Sequence, residues 1–364
     1  MKNLRQRQWV QGVLVCMAAL MLLSGGIALS LFPAAPLSKR ENRYLTQWPP
    51  FTINGWKDGS YTAALDTYAT ERFPIRNKLR QVRALLCLGQ GQMEVGGVLL
   101  CTDGSLCRRM NVNQRIYTQN LTALQRLSAQ YPQVTVAVAP RRIDMRTAVL
   151  PVLYDADENI AVWEQLRSAL PGSIAFPGLT EDEHWYRTDH HWSTMGAYLA
   201  YCQLGASLGY TPFEKESFQA VAVSDTFLGT SDAAAGIPFV TPDTVILFRY
   251  AEDRHFTVKR EKKAVPFEGF YDMEQLTERD QYAVFLGGNC GTLEITGKGD
   301  RPRLVVIKDS FANALLPFLA RHFDILAIDP RYCAEFPSAL MQEGDRLLAL
   351  CGMQTLCESF FLKL

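Results

Sequence analysis

The sequence predicts an α/β fold in which a mostly parallel sheet is covered by helices on both faces. Short, unbroken apolar segments of strand length alternate with segments whose apolar residues recur at helical spacing. The chain has 364 residues and is 48% hydrophobic, so it can bury one large core or two modest ones.

The N-terminus carries a membrane signal. Three basic residues precede an uncharged run from Trp9 to Pro36, and residues 9–32 are long enough to span a bilayer. We therefore expect residues 1–36 to form a basic cytoplasmic flank and a transmembrane signal anchor. A cleaved signal peptide is the alternative, because "ALS" and "PAA" near its end offer small residues to a peptidase. Both interpretations place the residues after about 40 outside the membrane.

The rest of the chain divides by composition. Residues 37–60 are rich in charge, Pro and Gly and are predicted to be an extended leader. Residues 61–364 are predicted to form the α/β domain, beginning with a helical pattern that Pro74 interrupts. Residues 211–300 break the alternation and are predicted to be an insertion beside the site.

The predicted elements follow from hydrophobic periodicity. A helix over 113–133 precedes the first buried strand, and further helices are predicted over 194–208, 311–322 and about 335–341. The candidate strands are "VTVAVAP", "SIAFPG", "TVILFRY", "YAVFLGG", "LVVIKDS", "DILAIDP" and "RLLALCG".

Charge and cysteine content narrow the class of protein. Lys plus Arg and Asp plus Glu both total 37, so no net field attracts nucleic acid, and no nucleic-acid partner is predicted. The nine cysteines include two closely spaced pairs, Cys101 with Cys107 and Cys351 with Cys357, whose connectivity the sequence leaves open. No C-x-x-C pair occurs, and we predict neither a cofactor nor a structural metal.

Ser310 is the first candidate for chemistry. Residues 303–332 read as a strand, a tight turn, a helix and a second strand, and Ser310 falls where strand passes into helix. Its hydroxyl would project at the carboxyl end of the sheet, where open α/β folds bind ligands, and the helix start could hold an oxyanion. The alternative role is that of an ordinary helix N-cap.

A serine nucleophile needs a histidine, and the chain has five. His255 lies in a charged segment and His322 ends a predicted helix, so both have structural explanations. The other three lie in "EDEHWYRTDHHWST", which contains the pattern Asp-x-His-Trp twice. The second copy stands at a helix start, where an anchored turn would bring Asp189 and His191 together.

Metal chemistry is an alternative for the same segment. Its oxygen and imidazole donors could hold Zn or Mn. The candidate ligands are Asp182, His184, Asp189, His190 and His191.

Four blocks of the sequence resemble the bacterial DHHW protein family: "TDHHWSTMGAY", "KDSFANALLPFLARHFDILAIDPRY", "SKRENRYLTQWPPF" and "ERFPIRNKL". That family is similar to the periplasmic alginate O-acetyltransferases, which have an SGNH-hydrolase-like domain. The resemblance implies a circularly permuted order of a catalytic triad, with Ser310 as nucleophile, His191 as general base and Asp189 as orienting carboxylate. It makes His190 a neighbour of the base, and Trp192 is expected to pack beside the ring.

The chain departs from the SGNH pattern around the nucleophile. Lys308 stands where such enzymes usually have Gly before Asp-Ser. The sequence therefore leaves two candidate groups of oxyanion donors. The first is Gly288 and Asn289 of "GGNCG". Gly352 and Gln354 of "CGMQ" are the second. Arg331 and Tyr332 are candidates for substrate contact or for structural pairing.

The implied function is an extracytoplasmic O-acetyltransferase that acts on a cell-surface polysaccharide through an acyl-enzyme. The implied partner is a membrane-bound O-acyltransferase that delivers acetyl groups across the bilayer. The sequence leaves open an acetylesterase with the same triad and a non-catalytic scaffold that binds glycan. It also leaves open the identity of the polysaccharide and the oligomeric state.

Overall fold

The computed structural model describes residues 9, 12–17, 19–21, 23–24, 37–38, 43–73, 75–333 and 341–362. The chain divides into two compact units, Met1–Gly89 and Gln90–Leu364. Half of residues 9–32, the range of the predicted membrane helix, and residues 335–340 of the predicted helix near 335–341 lie outside the described residues. Of the helices that are described, none is both long and apolar enough to cross a membrane.

The first unit is mainly helical where it is described. Helices α1 (Ile53–Lys57), α2 (Ser60–Arg72) and α3 (Arg76–Gly89) follow a short antiparallel pair, β1 (Leu37–Ser38) with β2 (Arg43–Tyr44). Helix α2 ends at Arg72 and α3 begins at Arg76, and Pro74, the predicted break, lies between them in sequence but outside the described residues. Proline interrupts a helix because it lacks the backbone N–H and its ring clashes with the preceding turn.

The second unit is built on a mixed sheet. Its seven described strands lie in the spatial order β10 (Lys263–Ala264), β9 (Thr257–Arg260), β11 (Thr292–Thr296), β13 (Asp324–Ile328), β12 (Arg303–Lys308), β14 (Arg346–Gly352) and β6 (Thr135–Ala139). The last four run parallel, whereas β9, β10 and β11 are antiparallel to their neighbours. The predicted α/β class is confirmed, and the sheet is mixed rather than mostly parallel. The predicted insertion supplies the three antiparallel strands.

Helices cover both faces of this sheet. Alternate residues of β12 point to opposite faces, so Leu304 and Val306 enter one core and Val305 and Ile307 the other. Helices α7 (Thr194–Leu208) and α9 (Ala312–Leu319) contribute to the first core. The second core takes its side chains from α4 (Gln114–Gln130), α6 (Asp157–Ala169) and α10 (Met353–Glu358).

Smaller elements surround the sheet. A three-stranded antiparallel sheet comprises β3 (Glu94–Val95), β4 (Val98–Leu100) and β5 (Leu106–Arg108). Strands β7 (Gln219–Phe227) and β8 (Asp243–Arg249) form a separate antiparallel pair, and the short helices are α5 (Arg142–Met145) and α8 (Thr230–Ala235). All cysteines in the described residues are free thiols, including both closely spaced pairs.

Two predicted strands are wrong. "SIAFPG" makes only an isolated bridge at Ile174, and "YAVFLGG" begins as a 3-10 helix over Gln281–Val284. Each contains a non-glycine residue in the left-handed region, Phe176 at φ 50° and Leu286 at φ 61°. This backbone conformation breaks a strand, yet both side chains are buried, which explains their apolar character.

Candidate active site

The candidate nucleophile lies where the sequence placed it. Ser310 follows β12 and precedes α9 at the carboxyl end of the parallel strands. The turn is held by Asp309, which accepts hydrogen bonds from the Phe311 N–H at 2.9 Å and, through Oδ2, from the Gly352 N–H at 2.7 Å. A hydrogen bond of 2.6 Å from the Thr355 hydroxyl to the same Oδ2 completes the anchorage. The nucleophile turn is thus fixed to the end of β14 and the start of α10.

The second Asp-x-His-Trp copy forms a turn before α7. The Ser193 hydroxyl accepts from the Gly196 N–H at 3.2 Å, so the predicted helix cap is present. His191 Nδ1 lies 2.6 Å from Asp189 Oδ1, and His191 Nε2 lies 2.8 Å from Ser310 Oγ. Because the carboxylate can only accept, Nδ1 carries the proton and Nε2 is free to accept the serine proton.

Asp189 is fully engaged by hydrogen bonds. Its Oδ1 accepts from the His191 N–H at 3.0 Å as well as from the His191 ring. Its Oδ2 accepts from the Thr230 N–H at 2.7 Å and from the Thr230 hydroxyl at 2.8 Å. Burial raises the pKa of Asp189, but the two neighbouring imidazoles and these hydrogen bonds outweigh it and hold that pKa well below its usual range. The carboxylate therefore stays charged.

Gly229 allows this close packing. A Cβ atom at this position would stand 2.3 Å from the Asp189 Cβ and 2.5 Å from Oδ2. Any side chain here would displace the carboxylate that orients His191.

Two aromatic residues contact the loops that carry His191 and Ser310. Tyr282 stacks on the His191 ring with centroids 3.9 Å apart and donates to the Ser310 carbonyl at 3.2 Å. Trp192 is fully buried, and its Nε1 donates to the Phe311 carbonyl at 3.0 Å. The ring stacked on His191 is thus that of Tyr282, while Trp192 packs edge-on against Phe311. Tyr282 was not predicted as a site residue, because it lies in the segment that was wrongly predicted to be a strand.

The first Asp-x-His-Trp copy has a different environment. It forms a short 3-10 turn in which Asp182 accepts from buried Arg142 at 2.7 Å. The backbone N–H of Glu181 donates to His184 Nδ1 at 3.0 Å, and burial lowers the pKa of His184. Both residues stabilise the turn.

The second Asp-x-His-Trp copy brings together three residues of types that bind metal ions. Donor atoms of Asp189, His190 and His191 lie within 4.8 Å of one another. Each carboxylate oxygen of Asp189, however, already accepts two hydrogen bonds. A metal ion would have to displace these bonds.

Most of the candidate oxyanion donors are already used in other hydrogen bonds. The Gly288 N–H donates to the Phe285 carbonyl at 3.1 Å, and the Gly352 N–H is taken by Asp309, so neither is free. Gln354 Nε2 donates to Glu358 at 2.8 Å. Asn289 lies closer to the nucleophile helix, because its Oδ1 accepts from Asn313 Nδ2 at 3.0 Å.

A buried lysine orients this asparagine pair. Lys308 Nζ donates to Asn313 Oδ1 at 2.7 Å, and an ammonium group has no acceptor. Asn313 must therefore turn its amide N–H toward Asn289 Oδ1, which leaves the Asn289 amide N–H group without an acceptor among the described residues. Desolvation lowers the pKa of Lys308, while Asp329 at 3.9 Å opposes that effect.

The two remaining candidates lie after β13. Arg331 forms a bidentate ion pair with Asp329, at 2.9 Å from Nε and 2.7 Å from Nη2. Tyr332 is exposed, and the Arg331 guanidinium lies 5.7 Å from the centroid of its ring. Pairing within the fold accounts for Arg331.

Comparisons with known proteins agree with this fold. Residues 179–328 match the model of the DHHW protein family. A DHHW family protein from Eubacterium siraeum has a TM-score of 0.57 at 19% identity, over 74% of this chain and 94% of that one. PatB1 from Bacillus cereus, solved with a sulfonyl adduct, also has a TM-score of 0.57, at 17% identity over 72% of this chain and 98% of that one.

The O-acetyltransferase domain of AlgJ from Pseudomonas putida gives a TM-score of only 0.41 at 14% identity, over 72% of this chain and 93% of that one. The comparison with curated protein sequences found no match. The match over residues 179–328 and the fold shared with a DHHW family protein confirm the predicted relationship of this chain to the DHHW protein family.

Proposed function

We propose that this chain is an O-acetyltransferase that acts outside the membrane on a cell-surface polysaccharide. The observation that carries the proposal is the continuous series Asp189–His191–Ser310, with contacts of 2.6 Å and 2.8 Å. A carboxylate, a correctly protonated imidazole and a hydroxyl in this order activate a serine for attack on an ester. We also infer an SGNH-hydrolase-like domain in which the His/Asp turn precedes the nucleophile in sequence.

The reaction has two steps. Ser310 Oγ attacks the acetyl carbonyl of the donor, His191 Nε2 takes the serine proton, and the same nitrogen protonates the leaving group. In the second step a sugar hydroxyl attacks the acetyl-serine ester and gives its proton to His191. The bond from acetyl carbon to Oγ breaks, and His191 returns the proton to Ser310. Asp189 holds the ring and stabilises its charge between the steps.

Two N–H groups are available for the oxyanion of each step. Among the described residues neither the Ser310 N–H nor the Asn289 amide N–H has a hydrogen-bond acceptor. We assign the oxyanion to these two donors, at the start of α9. The acetyl group and the polysaccharide come from the resemblance to the alginate enzymes, as does a membrane-bound O-acyltransferase partner that supplies acetyl groups.

Acylation by small reagents tests the proposal. The purified protein is incubated with p-nitrophenyl acetate or a sulfonyl fluoride and analysed by mass spectrometry. We expect one added group on Ser310, and a loss of about 10³-fold or more in the acylation rate for Ser310→Ala and for His191→Ala. The exposed His255, changed to Gln, serves as the matched histidine control.

Undiminished labelling of Ser310 in His191→Ala would contradict the triad. Acetyl release to water that a polysaccharide acceptor leaves unchanged would instead identify an acetylesterase with the same residues. If wild-type Ser310 takes up neither reagent, the enzymatic function itself is wrong and a glycan-binding scaffold is favoured.

A further inference from the structure

His190 has no role in the proposed triad, yet its ring lies against the base. The centroids of His190 and His191 are 3.8 Å apart, and the two rings are tilted by 38°. The His190 side chain is 22% exposed, compared with 7% for His191. Of the two imidazoles, His190 is therefore the one more open to a ligand.

The hydrogen bonds fix which nitrogen of His190 carries the proton. Thr230 Oγ1 lies 2.6 Å from His190 Nδ1 and 2.8 Å from Asp189 Oδ2. A hydroxyl has one proton, and the carboxylate needs it because it can only accept. His190 Nδ1 must therefore donate to Thr230 Oγ1, which leaves Nε2 of the neutral ring as an acceptor.

The direction of this nitrogen follows from the carboxylate that both rings contact. Within the described part of the chain His190 Nε2 has no hydrogen-bond partner. His190 Nδ1 is 3.7 Å from Asp189 Oδ1, so both rings turn their Nδ1 edges to the same carboxylate. Because Nδ1 and Nε2 lie on different edges of an imidazole, the Nε2 edge of each ring is turned away from Asp189, and in His191 that edge meets Ser310. Desolvation, with the adjacent His191, lowers the pKa of His190 to about 3, so the ring is neutral at physiological pH.

We propose that the site binds an acceptor with two adjacent hydroxyl groups, one activated by His191 Nε2 and the other donating a hydrogen bond to His190 Nε2. This inference rests on the proposed function and narrows its substrate class to sugars with a free vicinal diol. Two acceptor lone pairs on adjacent imidazole rings match two neighbouring hydroxyls on one sugar ring. A simple alcohol or a deoxy sugar leaves the second lone pair without its partner, which costs the complex a hydrogen bond.

Substitution of His190 by Asn or by Gln distinguishes the roles of its two ring nitrogens. His190→Asn keeps a donor at the position of Nδ1, toward Thr230, and removes the acceptor at Nε2. His190→Gln keeps an acceptor near the position of Nε2. The assay measures acetyl transfer from p-nitrophenyl acetate to a methyl glycoside with a vicinal diol and to its monodeoxy analogue, together with the rate of Ser310 acetylation.

For the wild type we expect transfer to the diol to exceed transfer to the deoxy analogue by about 10-fold, the value of one hydrogen bond. In His190→Asn that preference should fall to near unity, mainly through KM for the diol, and the acylation rate should fall less than diol transfer. His190→Gln should restore a preference of several-fold, and His255→Gln should match the wild type.

A preference retained in His190→Asn would overturn the inference. So would an equal loss of acylation and transfer in that variant, because it would show that His190 serves only to support Asp189. Absence of acetyl-Ser310 in the wild type would refute the proposed function instead, so the two failures are distinguishable.

Discussion

The sequence motif around Asn289 leaves the role of this residue open, and its hydrogen-bond partners indicate that role. "GGNCG" reads as an ordinary glycine-rich turn, and the Gly288 N–H is indeed used within that turn. The side chain of Asn289 is instead linked through Asn313 to Lys308. Lys308, the residue that departs from the SGNH pattern, is buried and sets the direction of both amides. Sequence reasoning could not find this link, because it depends on which side chains meet across 24 residues.

Removal of the Asn289 amide tests its assignment as oxyanion donor. We expect Asn289→Ala to reduce the rate of Ser310 acetylation by about 10²- to 10³-fold, because the developing negative charge loses one fixed donor. Asn313→Ala removes the contact that orients Asn289 and the acceptor of Lys308 but keeps the proposed donor, so it should have a smaller effect on this rate. Stopped-flow measurement of p-nitrophenol release gives both rates, and a loss of less than about 3-fold in Asn289→Ala would exclude the assignment.

At the level of elements, prediction succeeded where a local pattern and tertiary burial agree. The strand that ends at Lys308 is buried on both faces, and its unbroken apolar run reflects this directly. Helix α7 matches its predicted range of 194–208 because Ser193 caps its N-terminus and Gly209 ends it at the C-terminus.

Prediction failed where burial was not accompanied by regular structure. Val284 and Phe285 are as buried as any strand residue, yet they lie beside a left-handed Leu286. An apolar run records burial, and it cannot report the backbone conformation that produces it. The pairing of Asp189 and His191 was predictable because they are two residues apart, whereas Tyr282 reaches the site from a different segment.

The segment after α9 carries a pH-sensitive contact. Partial burial and the neighbouring Arg301 and Arg321 lower the pKa of His322 from 6.5 to about 4. Its Nε2 lies 2.7 Å from the Tyr201 hydroxyl, which accepts from the Phe213 N–H at 2.8 Å and so donates to the histidine. Protonation of His322 would remove the acceptor of that hydroxyl.

Stability should therefore fall as the pH falls. Between about pH 6.5 and pH 4 the unfolded chain binds the His322 proton and the folded chain does not, so unfolding is favoured. Urea unfolding at pH 7.5 and pH 4.5 should show a smaller loss for His322→Gln than for the wild type, with His255→Gln as control. The lowered pKa values of His184 and His190 act in the same direction, so part of the slope will remain. Equal slopes in all three proteins would contradict this role for His322.

For the whole molecule, the place of the proposed chemistry depends on what the N-terminal 36 residues do. We propose that they hold the chain in the membrane with the catalytic unit outside, as the basic flank and the apolar run predict. The full chain should sediment with membranes. Protease added to spheroplasts, in which the cytoplasmic membrane is still intact, should degrade it. A chain that begins at residue 37, with a cleavable secretion signal in front, should be released instead. Recovery of the full chain in the cytosolic fraction, resistant to external protease, would argue against the proposal.

The hydrogen bond from Trp192 to Phe311 has a consequence for how activity is lost. Trp192 is the residue after the proposed base and Phe311 is the residue after the proposed nucleophile, so the two loops are joined one position beyond their reactive groups. The site is then assembled before any acceptor arrives, and small acyl reagents should react without a glycan present. Because the loops cannot separate while the buried indole stays in place, heat inactivation should coincide with cooperative unfolding of the core rather than precede it.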